Sequence, residues 1–103
     1  MPLQIQPRLL DGAVLCLINN DRLYGYTLSK QVQSYFDVSD SAIYPVLHRL
    51  KKKKFVITYD KPFEGRNRRY YQITDLGTNE LQTITNEWWI FSDKVDQLMG
   101  EQK

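Results

Sequence analysis

At 103 residues, with 42% apolar and 25% charged side chains and a formal net charge of +2, the chain has the composition of one globular domain. It has neither the length for a second core nor the low hydrophobicity of a disordered protein. One cysteine (Cys16) and one histidine (His48) exclude an intramolecular disulfide and a tetrahedral zinc site of four Cys or His ligands, and no metal or cofactor is expected. The longest apolar runs, at 13–18 and 88–91, fall far short of the ~20 residues that span a bilayer. Met1 to Gln6 carries no basic residue ahead of a long apolar stretch, so no secretory leader and a cytoplasmic location are expected.

Leu9, Leu10, Ala13, Val14, Leu17 and Ile18 recur at helical spacing and predict a first helix from Pro7 to Asn19. Proline fits its first turn, where the missing N–H has no intrahelical partner. Asn19-Asn20-Asp21-Arg22 then reads as a turn. A second helix places Tyr24, Leu28, Val32, Tyr35 and Phe36 on one face. Ser39 is the expected N-cap of a third, with Asp40 placed well against its dipole. Ile43, Val46, Leu47 and Leu50 form its apolar face; Ser41, Tyr44, Pro45, His48 and Lys52 lie opposite. Pro45 removes one hydrogen bond, which predicts a short first turn or a mild kink. The single Cys16, in an apolar helix, reads as a small buried hydrophobe rather than a redox sensor.

After Lys54 the period changes to two. Phe55, Ile57 and Tyr59 alternate with Val56, Thr58 and Asp60, and Tyr70 to Ile73 form a second β-prone stretch. Lys61 to Arg68 is expected to be the tip of the hairpin, with Gly65 in the turn. Thr74-Asp75-Leu76 caps a last helix, in which Leu81, Ile84, Trp88, Phe91, Val95 and Leu98 repeat as a heptad seam.

Charge is not mixed evenly along these elements. From Arg49 to Arg69 nine basic residues face only Asp60 and Glu64, a net of +7, which leaves −5 on the rest. Such clustering reads either as a solvated face or as the footprint of a polyanion. The order of elements favours the second. Three helices, a two-stranded β-wing and a further helix, with the bases confined to the third helix and the wing, give an α+β winged helix-turn-helix with a C-terminal helix. In that layout the third helix enters the major groove and a basic wing grips phosphate or the minor groove.

Three segments carry a more specific signal: Tyr24-Gly25-Tyr26, the run from Val38 to Leu50, and the run from Gly65 to Thr74 leading into Leu76-Gly77. In this order and at these separations they resemble the PadR-like transcriptional regulators, in particular the compact subgroup with a single C-terminal dimerisation helix, which includes multidrug-binding repressors. The resemblance runs from Leu9 to Leu98 and accounts for Pro45, while Asn67 departs from the more uniformly basic wing of the family. It implies a DNA-binding region over 1–75 and a dimerisation helix over 76–103. DNA contacts are expected from Ser39, Ser41, Tyr44, His48, Arg49, Lys51, Lys52, Lys61, Arg66, Arg68 and Arg69. Tyr44 can alternatively pack its ring locally, and Arg69 can pair with an acid.

The seam of the last helix has two readings, packing on the chain's own core or on a second copy, and the expected partner is a second copy through Leu81, Ile84, Trp88, Phe91, Val95 and Leu98. A homodimer presents two recognition helices to a pseudo-palindromic operator in double-stranded DNA. The resemblance to the compact subgroup makes Trp88, with Trp89 and Phe91, the candidate site for a planar aromatic small-molecule effector, which a large polarisable ring suits; the alternative is that these rings only fill the interface. An interaction module for RNA or an acidic protein is the other functional class that the basic face allows. Ser41, His48 and an aspartate are present, but no nucleophile elbow, paired carboxylates or phosphate-cradling glycine loop accompanies them, so no enzymatic activity is expected.

Overall fold

Proline at the first helical position and apolar residues at helical spacing produce α1, which runs Pro7–Asn20. The computed structural model describes residues 3–21 and 23–100; Met1, Pro2, Arg22 of the expected turn and residues 101–103 lie outside the described residues. After α1 come β1 (Leu23–Tyr24), α2 (Gly25–Tyr35), α3 (Asp40–Lys52), β2 (Val56–Phe63), β3 (Arg66–Ile73) and α4 (Asp75–Met99). The α+β arrangement of helices and wing is the expected one.

Several details differ from the sequence expectation. Tyr24 leaves the expected second helix and, with Leu23, forms a strand: Leu23 pairs with Tyr71 and Tyr24 with Tyr70, so the sheet has three antiparallel strands in the order β1-β3-β2. Two residues are too few for a period-two signal. The buried face of α2 is accordingly Leu28, Ser29 and Val32, while Tyr35 and Phe36 are exposed. The hairpin continues to the pair Phe63–Arg66, so residues 61–63 and 66–68, expected to belong to the tip, are strand rather than loop. Glu64 and Gly65 alone make the turn, both at positive φ (51° and 79°), as a two-residue turn matched to strand twist requires. Pro62 is tolerated because β2 is an edge strand. Cys16 is exposed, not buried: it lies on the face of α1 opposite Val14, Leu15 and Ile18.

The core is built from Leu10, Val14, Leu15 and Ile18 of α1, Leu28 and Val32 of α2, Ile43, Val46, Leu47 and Leu50 of α3, Val56 and Ile84. Burial of these side chains contributes about 1.5–3 kcal/mol each before conformational entropy is set against it. Ser39 is the N-cap of α3 by position, but its hydroxyl pairs with that of Ser41 at 2.8 Å instead of capping a backbone N–H. Ala42 N–H and Ile43 N–H both donate to the Ser39 carbonyl, at 3.0 and 3.3 Å, and α3 runs through Pro45 as one helix.

At its other end α3 closes with a paired backbone motif: Phe55 N–H reaches the Leu50 carbonyl and Lys54 N–H the Lys51 carbonyl, each at 3.0 Å. This places Lys54 at φ 65°, a left-handed position where glycine is usual. Thr74 caps α4 as expected, accepting from Gly77 N–H at 3.0 Å while its one hydroxyl proton is shared between the carbonyls of Lys54 at 2.7 Å and Phe55 at 3.1 Å. A Cβ on Gly77 would stand 2.0 Å from the Phe55 carbonyl oxygen. From the first turn of α1, Arg8 donates to Glu87 at 2.6 and 3.0 Å and to Glu80 at 3.4 Å. The Arg8 hydrogen bond lowers the Glu87 carboxyl below its ordinary range.

Two substitutions at this corner have opposite expected signs. Lys54→Gly relieves the left-handed backbone and raises unfolding stability by about 1 kcal/mol. Gly77→Ala forces a methyl against a backbone oxygen and lowers it by about 3 kcal/mol or more. Urea denaturation followed by circular dichroism measures both.

Candidate nucleic-acid interface

A recognition helix must bury one side and leave the other free. The apolar stripe of α3 is nearly inaccessible, whereas Ser39, Ser41, Tyr44, His48, Lys51 and Lys52 are exposed. The structure therefore gathers these candidate side chains on the outer surface of α3 and its N-cap. Tyr44 is 48% exposed, yet its ring also packs at the start of α2: a Cβ on Gly25 would meet it at 3.7 Å and the Tyr71 ring at 3.9 Å. Local packing and an outward-facing contact are thus both open to this one side chain. Burial raises the pKa of the Tyr71 phenol, opposed by the charge of Arg69 and reinforced by Tyr44, so Tyr71 remains neutral at physiological pH.

The basic residues do not form one uniform set. Arg49 turns toward α1 and forms an ion pair with Asp11, whose side chain is only 18% exposed. Arg69 pairs with Asp60 across the β2–β3 ladder at 3.3 Å. Lys61 and Arg66 are exposed on the wing, and a depression at its tip is lined by Phe63, Glu64, Arg66, Asn67 and Arg68. Arg68 is half-buried, with its guanidinium carbon 3.7 Å from the Phe63 ring centroid and 4.3 Å from that of Tyr24. Lys53 and Lys54 leave the helix at its C-terminal motif and are exposed with the rest of the run.

Orientation of α3 depends on residues that carry no motif in the sequence. Ser29, 1% exposed on α2, donates its hydroxyl proton to the Asp40 carboxylate. Gln33 donates to the same carboxylate oxygen at 3.0 Å and to the Val38 carbonyl at 3.2 Å. Asp40, expected to act on the helix dipole, therefore also ties the first turn of α3 to α2. The one signal of this tie in the sequence is a lone small polar residue between Leu28 and Val32 on an apolar stripe.

The seam of α4 divides. Leu81 packs against the core and Ile84 belongs to it at 3% exposure, where a Cβ on Gly12 of α1 would come within 2.7 Å of its side chain. Trp88, Phe91, Val95 and Leu98 are 43%, 62%, 38% and 80% exposed, and Trp89 beside them 60%. Trp88 and Phe91 stack at 6.3 Å between centroids. Among the described residues there is no group of His, Cys, Asp or Glu that could hold a metal ion, and no helix long and apolar enough to cross a membrane.

The sequence profile of the transcriptional regulator PadR-like family matches residues 14–83. An uncharacterized protein of Lysinibacillus sphaericus is 32% identical over 95 residues, covering 87% of each chain. Among solved structures, a protein of Streptococcus mutans UA159 is similar with a TM-score of 0.90 at 28% identity, over 97% of this chain and 94% of that one. A PadR-like transcriptional regulator from Bacillus cereus strain ATCC 14579 is similar with a TM-score of 0.80 at 34% identity, over 88% and 91%.

Removing the Asp40 carboxylate strands the buried Ser29 hydroxyl. Asp40→Ala is expected to lower stability by about 1–3 kcal/mol, and Ser29→Ala, which removes the buried donor instead, by less. Chemical denaturation of the two variants side by side tests the order.

Proposed function

We propose, from the premise that this chain belongs to the PadR-like family of transcriptional regulators, which bind DNA and are not enzymes, that it acts in the cytoplasm as a homodimeric repressor reading a pseudo-palindromic operator. The observation that carries the DNA-reading surface is the exposed face of α3, where Ser39, Ser41, Tyr44 and His48 precede Lys51 and Lys52. In this reading the hydroxyls and imidazole approach base edges near the helix N-terminus, and the lysines, with Lys61 and Arg66 of the wing, neutralise phosphates. Arg49 and Arg69 already face Asp11 and Asp60, and their part is to hold the helix and the wing in register.

Residues 1–75 serve as the DNA-binding region and 76–103 as the dimerisation helix. What supports the dimer is the unpartnered outer half of α4. At 25 residues this helix is about 37 Å long, and past Ile84 its apolar side chains meet no core of their own. A second copy packed on Trp88, Phe91, Val95 and Leu98 removes that surface from water and sets two recognition helices about one DNA turn, ~34 Å, apart. A planar aromatic effector inserted beside the stacked Trp88 and Phe91 rings would change that separation. It relieves repression only through different affinities for two dimer shapes.

Three measurements test the reading. Sedimentation should give a dimer for the native chain and a monomer for Phe91→Glu. A duplex from upstream of the gene should bind more tightly than a scrambled duplex, with affinity falling steeply as salt rises. Equal binding of both, with no preferred site in a genome-wide selection, would move the protein to the class of interaction modules. Planar aromatic compounds should quench tryptophan fluorescence in the native protein and lose most of that effect in Trp88→Leu.

A further inference from the structure

The wing carries a stack that DNA binding alone does not explain. On one face of the sheet Tyr59 stacks on Tyr70 at 5.6 Å and 15°, and Tyr70 meets Tyr24 edge-on at 5.7 Å. Arg68 continues this layer toward the tip. It belongs to the central strand β3, one same-face step beyond Tyr70, so Tyr24 on β1 and Phe63 on β2 lie diagonally on either side of it. Its guanidinium lies 3.7 Å from the Phe63 centroid and 4.3 Å from the Tyr24 centroid. Lys61, Arg66 and Arg69 are exposed, whereas Arg68 is half-buried.

Such an arrangement matters because β1 has only two residues, and Tyr24 is also the N-cap of α2. A two-residue edge strand has few ladder hydrogen bonds with which to fix the angle of a hairpin built of two eight-residue strands. A planar cation between two rings supplies a lateral tie, since guanidinium stacks on aromatic faces in a way that a lysine ammonium does not reproduce. We propose that Arg68 is a positioning residue that sets the pitch of the wing against the helix-turn-helix by stacking between Tyr24 and Phe63, and that it does not serve as a phosphate contact. This rests on the DNA-binding reading above and assigns the wing charges different tasks: Arg66 grips, Arg68 aims.

The first test needs no DNA. Stacked between two rings, the Arg68 δ-methylene protons should resonate upfield of their random-coil position and return toward it in Phe63→Leu; an unshifted native resonance overturns the proposal whatever the protein binds. The second test is the salt dependence of duplex binding. Arg66→Met should lower the slope of log K against log salt by about 0.9 for each phosphate that the arginine neutralises in the native complex. Arg68→Met should keep the native slope while weakening binding about fivefold at every salt concentration. Arg68→Lys should not restore it. Phe63→Leu removes no charge and lies at the exposed tip, so it remains informative if Arg68→Met folds poorly; it should weaken binding equally and add nothing in the Arg68→Met background. A slope lowered in Arg68→Met as in Arg66→Met, with full rescue by Arg68→Lys, makes Arg68 a phosphate contact and overturns the proposal. If the native chain binds no duplex, the DNA-binding reading fails, and the resonance measurement still decides the stack.

Discussion

The carbonyl of Phe55 is the point where the working parts of this protein meet. It accepts hydrogen bonds from both the backbone and the hydroxyl of Thr74, at 3.0 and 3.1 Å. Phe55 follows the closing turn of α3, Val56 opens β2, Ile73 ends β3, and Thr74 caps α4. The end of α3, both roots of the hairpin and the start of α4 are therefore referenced to one peptide group. Only a residue without a Cβ allows the first turn of α4 to pass so close, which is why Gly77 and the left-handed Lys54 belong to the same constraint.

The two halves of α4 have different surroundings. Its first half is anchored by Ile84 in the core and by Glu80 and Glu87 against Arg8. Its second half leaves the core and accounts for much of the long axis of a molecule measuring 55 × 31 × 20 Å. An apolar face is costly to leave in water.

The basic surface shows a similar division of labour. Charges that look equivalent along the chain are held by different neighbours: Asp11 faces Arg49, Asp60 faces Arg69, aromatic rings enclose Arg68, and Lys51, Lys52, Lys61 and Arg66 face solvent. Exposed ion pairs such as Arg69–Asp60 contribute little to stability. They do restrict where a long flexible side chain points.

Local patterns determined most of the elements. Pro7, the spacing of Ile43, Val46, Leu47 and Leu50, the alternation after Phe55 and the Thr74 cap each report a preference set within a few residues, and the clustering of bases on the third helix and wing is equally visible in one dimension. Membership of a DNA-binding family followed from those patterns in order. Tertiary structure decided what depends on distant partners. The two-residue β1 exists only because Tyr70 and Tyr71 lie beside it, and the hairpin turn shrinks to Glu64-Gly65 because the strands pair to their ends. Cys16 faces solvent because the core needs the opposite side of α1, and the heptad seam, uniform in sequence, is split at Ile84 by where α1 stops covering α4. Which arginine is paired, stacked or free was likewise beyond the sequence, since the acids and rings that decide it lie up to 38 or 44 residues away along the chain, as Asp11 does from Arg49 and Tyr24 from Arg68.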